Sequence, residues 1–161
     1  MEIFVSSRNA IFQLILRFKK EKPESKIVVV SITDPKSELV ILPLEELNIL
    51  RLSFHDLDEK YSHSSTAIIL FNKYMAQQIK SFVKQNLCDN LIILNHCEAG
   101  ISRSAGVAGA LAKHFLGDDD IFFRSPYLPN RLTYSILLNL LSGKENQIPN
   151  VIICNEDSNV F

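Results

Sequence analysis

Residues 93–106, ILNHCEAGISRSAG, hold three side chains suited to one kind of chemistry. Cys97 follows an apolar run and precedes small residues, Arg103 lies six positions on, and Ser104 follows it directly. An apolar run that stops at a cysteine and a glycine-containing loop predicts a strand entering a tight turn. From Ser102 the pattern SRSAGVAGALAKHF predicts a helix. Cys97 then sits where backbone N–H groups at a helix start have no partner within the helix, a natural site for an anion. A cysteine attacks only as its thiolate, and three features here stabilise negative charge: the helix N-terminus, the inward N–H groups of residues 98–103, and the Arg103 guanidinium. Gly100 permits positive φ and lets the backbone approach a bound group. Arginine has a planar fork that grips two oxygens of a phosphate together. The Ser104 hydroxyl is placed to donate to the sulfur as it leaves. The set fits a tetrahedral dianion whose central atom faces the sulfur.

The remaining pattern supplies elements to position that loop. Strands are predicted at 2–5, 26–33, 49–54 and 91–95, with β-branched and apolar residues concentrated in KIVVVSIT and LIILN. Asp34-Pro35 breaks the second of these strands. Helices are predicted at 8–20, from an Asn72 cap with Met75, Ile79, Phe82 and Val83 on one face, and at 102–116, 118–124 and 130–142. The acidic run Asp118–Asp120 reads as the cap of the 118–124 helix. Strands separated by helices predict an α/β fold, a central and largely parallel sheet flanked by helices, spanning residues 1–161 as one domain with a short mobile tail after about 155. In such sheets ligands bind beyond the carboxyl ends of strands, where Cys97 lies.

The stretch His96-Cys97-EAGIS-Arg103-Ser104 resembles the signature of the cysteine-dependent protein tyrosine phosphatases, in particular their small dual-specificity-like members: His-Cys, five residues, Arg, then Ser or Thr. The similarity runs from about residue 45 to 142. It implies the fold of those enzymes and hydrolysis of phosphate monoesters through a phosphocysteine on Cys97. Arg103 and the loop Glu98, Ala99, Gly100, Ile101 and Ser102 would hold the phosphoryl oxygens, Ser104 would assist breakdown of the intermediate, and His96 would support the loop. The resemblance also implies an aspartate acid after the preceding strand. RLSFHDLDEKY offers Asp56, favoured because alternation along the strand aims only one of the pair at the pocket, with Asp58 the alternative. FFRSPYLPNRLTYSILLNL is similar to the element that backs the loop in these enzymes, and gives Asn130 two readings, loop support or helix cap.

Departures refine the expectation. The chain has no Trp, and Tyr61, Tyr74, Tyr127 and Tyr134 stand in no recognition motif. A shallow pocket follows, taking phosphotyrosine of a protein or peptide with phosphoserine and phosphothreonine also admitted; a phosphate-binding module without turnover and an enzyme for nucleotide or other small phosphate esters are the alternatives. EAGIS contains no lysine and begins with Glu98, which disfavours substrates bearing several phosphates. Cys88 precedes Cys97 near a helix end and reads as a spectator thiol before a redox partner.

Composition is that of a globular protein, 47% hydrophobic and 22% charged, with net charge −1. That balance gives no support to nucleic-acid binding. No apolar run approaches the ~18 residues of a membrane span, and Glu2 with basic residues after the apolar segment is the wrong order for a secretory signal. Cysteines at 88, 97 and 154 form neither a disulfide framework nor a zinc cluster, and the four histidines are dispersed, so no cofactor or metal is expected and the compartment reads as cytoplasmic.

Overall fold

The structure is a computed structural model that describes residues 1–42, 47–58 and 68–144. Tyr61, Cys154 and the expected mobile tail lie outside them. Among the described residues four strands form one sheet: β1 (Glu2–Ser7), β2 (Lys26–Thr33), β3 (Asn48–Ser53) and β4 (Leu91–Cys97). Their order is β1-β4-β2-β3, and every pairing is parallel. Four α-helices flank the sheet: α1 (Ile11–Glu21), α2 (Lys73–Asn86), α3 (Arg103–Leu116) and α4 (Arg131–Leu141).

The two central strands, β4 and β2, are covered on both faces, which explains their near-continuous apolar sequence. On one face Ile11, Ile15 and Phe18 of α1 pack on Ile27, Val29, Ile92 and Leu94. On the other, Val28, Val30, Ile32, Leu91 and Ile93 meet Ile79 and Val83 of α2, Val107 and Leu111 of α3, and Ile136 and Leu140 of α4. Cys97 points to this second face, so the loop after β4 is held between the sheet and the α3–α4 pair.

Two expectations are corrected. The strand predicted at 91–95 continues to Cys97, because His96 and Cys97 pair with Ser6 and Ser7 of β1 despite the polar change in sequence. The helix predicted at 118–124 is only a 3-10 turn at Asp120–Phe123. Gly117, at φ +80°, closes α3 in the left-handed conformation, and the short segment before Pro126 is governed by tertiary contacts. Asp118 does accept from the Asp120 N–H at 2.9 Å, a local cap, but Asp119 turns inward. Its carboxylate takes Lys113 Nζ at 3.0 Å and the Tyr134 hydroxyl at 2.6 Å, tying α3 to α4. Burial opposes the Asp119 charge, yet these donors hold its carboxyl below the usual range, and the Tyr134 phenol is raised by burial and by the same carboxylate.

Candidate active site

The loop between β4 and α3 is fixed by its carbonyls. Those of Glu98, Ile101 and Ser102 accept from the backbone N–H of Arg8, Leu128 and Asn130 at 3.1 Å each, and Ser102 also takes the Gly106 N–H at 2.8 Å. In a trans peptide the next N–H points opposite to the carbonyl, so Ala99, Ser102 and Arg103 direct their N–H groups away from these partners. The result is a concave set of donors at the start of α3. Gly100 has φ +72°, and a Cβ there would stand 2.6 Å from Ser6 C and Ser7 N, so only glycine lets the loop seat on the end of β1. Gly106 likewise lets α3 approach Asn130, whose carbonyl oxygen would lie 2.7 Å from an added Cβ.

Cys97 is buried, with Sγ 3.1 Å from Ser104 Oγ. Arg103 is buried too, and its guanidinium is clamped along one edge: Nη1 donates to Asp34 Oδ1 and to the Phe54 carbonyl, each at 2.9 Å, and Nη2 to Asp34 Oδ2 at 3.4 Å. Nε is buried without a hydrogen-bond acceptor among the described residues. The Nε edge therefore retains donors for an anion while the Nη1 edge is occupied by protein.

Asp56 and Asp58 go to different places. Asp56 Oδ1 accepts from Ser102 Oγ at 2.7 Å and from Asn130 Nδ2 at 3.0 Å, and its Oδ2 lies 3.9 Å from Arg103 Nε. Asp58 Oδ1 instead accepts from the Leu132 N–H at 3.2 Å, in the first turn of α4. Ser102 occupies the N-cap of α3 but spends its hydroxyl on Asp56. Asn130 serves two ends: its Oδ1 caps α4 by accepting from the Thr133 N–H at 2.8 Å while its amide nitrogen reaches Asp56. Glu98 is exposed and pairs with Arg8 at 3.4 Å. Ile101 is partly exposed at the loop rim.

Asp34 was not among the candidates, since Asp34-Pro35 after β2 reads only as a strand breaker. The one available signal was topological: β2 pairs with β4, so its carboxyl end reaches the same rim as Cys97. Asp34→Asn is expected to weaken binding of phosphate or vanadate at the loop by up to ~10²-fold, because the guanidinium loses its fixed orientation. Inhibition constants for vanadate measure this, and unchanged constants would remove Asp34 from the site.

Cys88 lies before the first residue of β4 and Cys97 at its last, so a strand rising ~3.3 Å per residue separates them by roughly 20 Å. A disulfide needs Cα atoms within about 7 Å, which rules out the direct redox pairing.

His96 is fully buried in β4, between Ser6 and Ser31 of the neighbouring strands, and neither ring nitrogen finds a hydrogen-bond partner among the described residues. Burial, with smaller opposing help from the Cys97 backbone, lowers its pKa from 6.5 to about 4. The unfolded chain therefore binds this proton more readily than the folded one between pH 6.5 and about 4, so stability falls as pH drops through that window. The loss approaches roughly 3 kcal/mol once the folded state also protonates. Urea unfolding at pH 7, 5 and 4 should show it, and His96→Gln should flatten that part of the slope; identical slopes would contradict the assignment.

The all-parallel sheet, with the Cys97 loop between β4 and α3, has counterparts among solved structures. The human tyrosine phosphatase-like serine/threonine/tyrosine-interacting protein superposes with TM-score 0.59 at 18% identity, covering 89% of this chain and 91% of that one. PTPMT1 in complex with PI(5)P gives 0.55 at 15% identity, over 92% and 95% of the two chains. Human DUSP28 gives 0.52 at 16% identity, over 90% and 94%. The chain has the dual-specificity-like phosphatase fold. No family model matches the sequence, and no curated protein matches it. No helix among the described residues is long and apolar enough to cross a membrane.

Proposed function

We propose that this protein is a cysteine-dependent phosphatase acting on phosphate monoesters, with phosphotyrosine in a protein or peptide as the main substrate and phosphoserine and phosphothreonine accepted as well. The observation that carries the reading is the convergence on one loop of Cys97 Sγ, the open edge of Arg103 and the Asp56 carboxyl. The Cys97 thiolate attacks phosphorus, the ester P–O bond breaks, and Asp56 gives its proton to the leaving oxygen. Asp56 Oδ1 is held by Ser102 and Asn130, so Oδ2 is the oxygen that carries the proton. Loop N–H groups and the Nε edge of Arg103 stabilise the equatorial oxygens. Asp56 next takes a proton from water, whose oxygen attacks phosphorus; the P–S bond breaks and Ser104 Oγ donates to the returning thiolate. No step calls for a metal. The Glu98 carboxylate on the loop, although paired with Arg8, disfavours substrates with several phosphates, and a cytoplasmic setting belongs to the same proposal.

The test is turnover of a small aryl phosphate with chelator present, followed by acid quenching and mass analysis of the Cys97 peptide for one added phosphoryl group. Turnover with the adduct supports the mechanism. Vanadate binding without turnover would replace it by a phosphate-capturing module.

A further inference from the structure

Beside the phosphate loop runs a second concave surface that the proposed chemistry does not use. It is a wide, shallow concavity of about 630 Å3, and its lining is mainly apolar. Its floor is three consecutive residues of β1, Val5, Ser6 and Ser7. Consecutive strand residues face alternately up and down, so a surface that touches all three lies along the strand's edge and not on a face of the sheet. β1 is an edge strand: it pairs with β4 alone, and among the described residues no strand covers its other side. Alternate N–H and C=O groups on that side are of the kind that accept an added strand, except that the Ser7 carbonyl already accepts from the Ala10 N–H at 3.2 Å.

The walls of the cleft come from the two layers. Gln13 and Leu14 of α1 stand on one side, and Tyr127, which with Ile3 and Val5 packs against Ala108, Ala112 and Phe122, on the other. One end is Ala99–Gly100–Ile101, the outer side of the phosphate loop. Gly100 is seated directly on the Ser6–Ser7 peptide, so the strand edge and the anion site share a backbone junction. The charged side chain in the lining is Arg17, and no carboxylate lines it. Arg17 is itself bonded to Glu21 at 2.9 Å.

From this geometry we infer that the open edge of β1 is a docking site for the substrate: an extended peptide segment flanking the phosphorylated residue adds to the sheet beside Val5–Ser7 while the phosphate occupies the loop. The inference rests on the phosphatase reading for the nature of the occupant. Backbone pairing requires a peptide, since an acyl chain has nothing to offer the edge amides, and strand addition is a general mode of peptide recognition. At ~3.3 Å per residue, the floor accommodates three or four residues next to the phosphoresidue. The apolar walls would accept alternate apolar side chains.

The probe is a set of fluorescein-labelled phosphotyrosine peptides, with no extension or with five extra residues on either side, bound to the Cys97→Ser chain and followed by anisotropy. An extension on one side is expected to tighten the dissociation constant about 10-fold, equivalent to ~1.4 kcal/mol. N-methylation of alternate residues in that extension should remove the gain, while methylation of the intervening residues leaves it. Gln13→Trp, at an exposed helical position, should also remove it by filling the cleft. Equal affinities for short and extended peptides, or indifference to N-methylation, would overturn the docking site. A concentration-dependent dimer that Gln13→Trp disperses, with no gain from extension, would overturn it by assigning the edge to a second copy. The phosphatase reading is judged separately, by turnover of a small aryl phosphate by the unaltered chain, so the two failures are distinct.

Discussion

Cys97→Ser is expected to reduce aryl phosphate turnover to background, a loss on the order of 10⁵–10⁶, while the fold and the anion site persist. Serine is the smaller isostere of cysteine, so it enters without a clash, and its hydroxyl faces Ser104 Oγ, which stands 3.1 Å from Sγ. The loop is built from backbone carbonyl contacts and the Asp34–Arg103 clamp, none of which uses the thiol. Phosphate should therefore bind Cys97→Ser with an affinity within a few-fold of the unaltered chain, whereas vanadate, which takes the thiolate as a fifth ligand, should bind it far more weakly. The split between lost chemistry and retained binding separates a nucleophile from a packing residue. Residual turnover above about one part in a thousand, or loss of phosphate binding together with turnover, would contradict the assignment.

The second large effect concerns the acid. Asp56→Ala should lower kcat for aryl phosphate by ~10²–10⁴-fold and remove the fall in rate on the basic side of the pH profile, because that limb reports loss of the acid's proton. Alanine also deletes the contacts to Ser102 and Asn130, so Asp56→Asn is the more discriminating change. The asparagine oxygen can still accept from both donors, yet the side chain cannot deliver a proton in the pH range of the assay. Activity lost in both variants marks proton transfer; activity restored in Asp56→Asn would mark Asp56 as a positioning residue. Asp58→Ala should leave kcat within a few-fold and cost the protein ~1 kcal/mol, because its carboxylate satisfies the Leu132 N–H at the start of α4. Thermal or urea unfolding reads that cost, and a kcat loss equal to that of Asp56→Ala would reverse the two roles.

What the sequence by itself determined is local. The apolar runs of β2 and β4, the loop signature from His96 to Ser104 and the alternation of strands with helices are written in consecutive residues, because burial on both faces and the strand-to-helix turn each impose a short-range pattern. Even there His96 hid the true end of β4: a polar side chain inside a sheet looks like a loop until its neighbours on β1 and β2 are known. The tertiary structure decided everything that depends on strand order. It placed the end of β2 beside the end of β4, and so set Asp34 on Arg103, an ion pair between residues distant in the chain. It separated Asp56 from Asp58, two positions apart in the chain, by carrying one to Ser102 and the other to Leu132. It also made Asp119 an inward tie between α3 and α4 where the acidic run alone suggests a solvated cap. Each of these depends on which elements pack together. That is fixed by the summed burial of apolar faces far along the chain, and no window of neighbouring residues contains it.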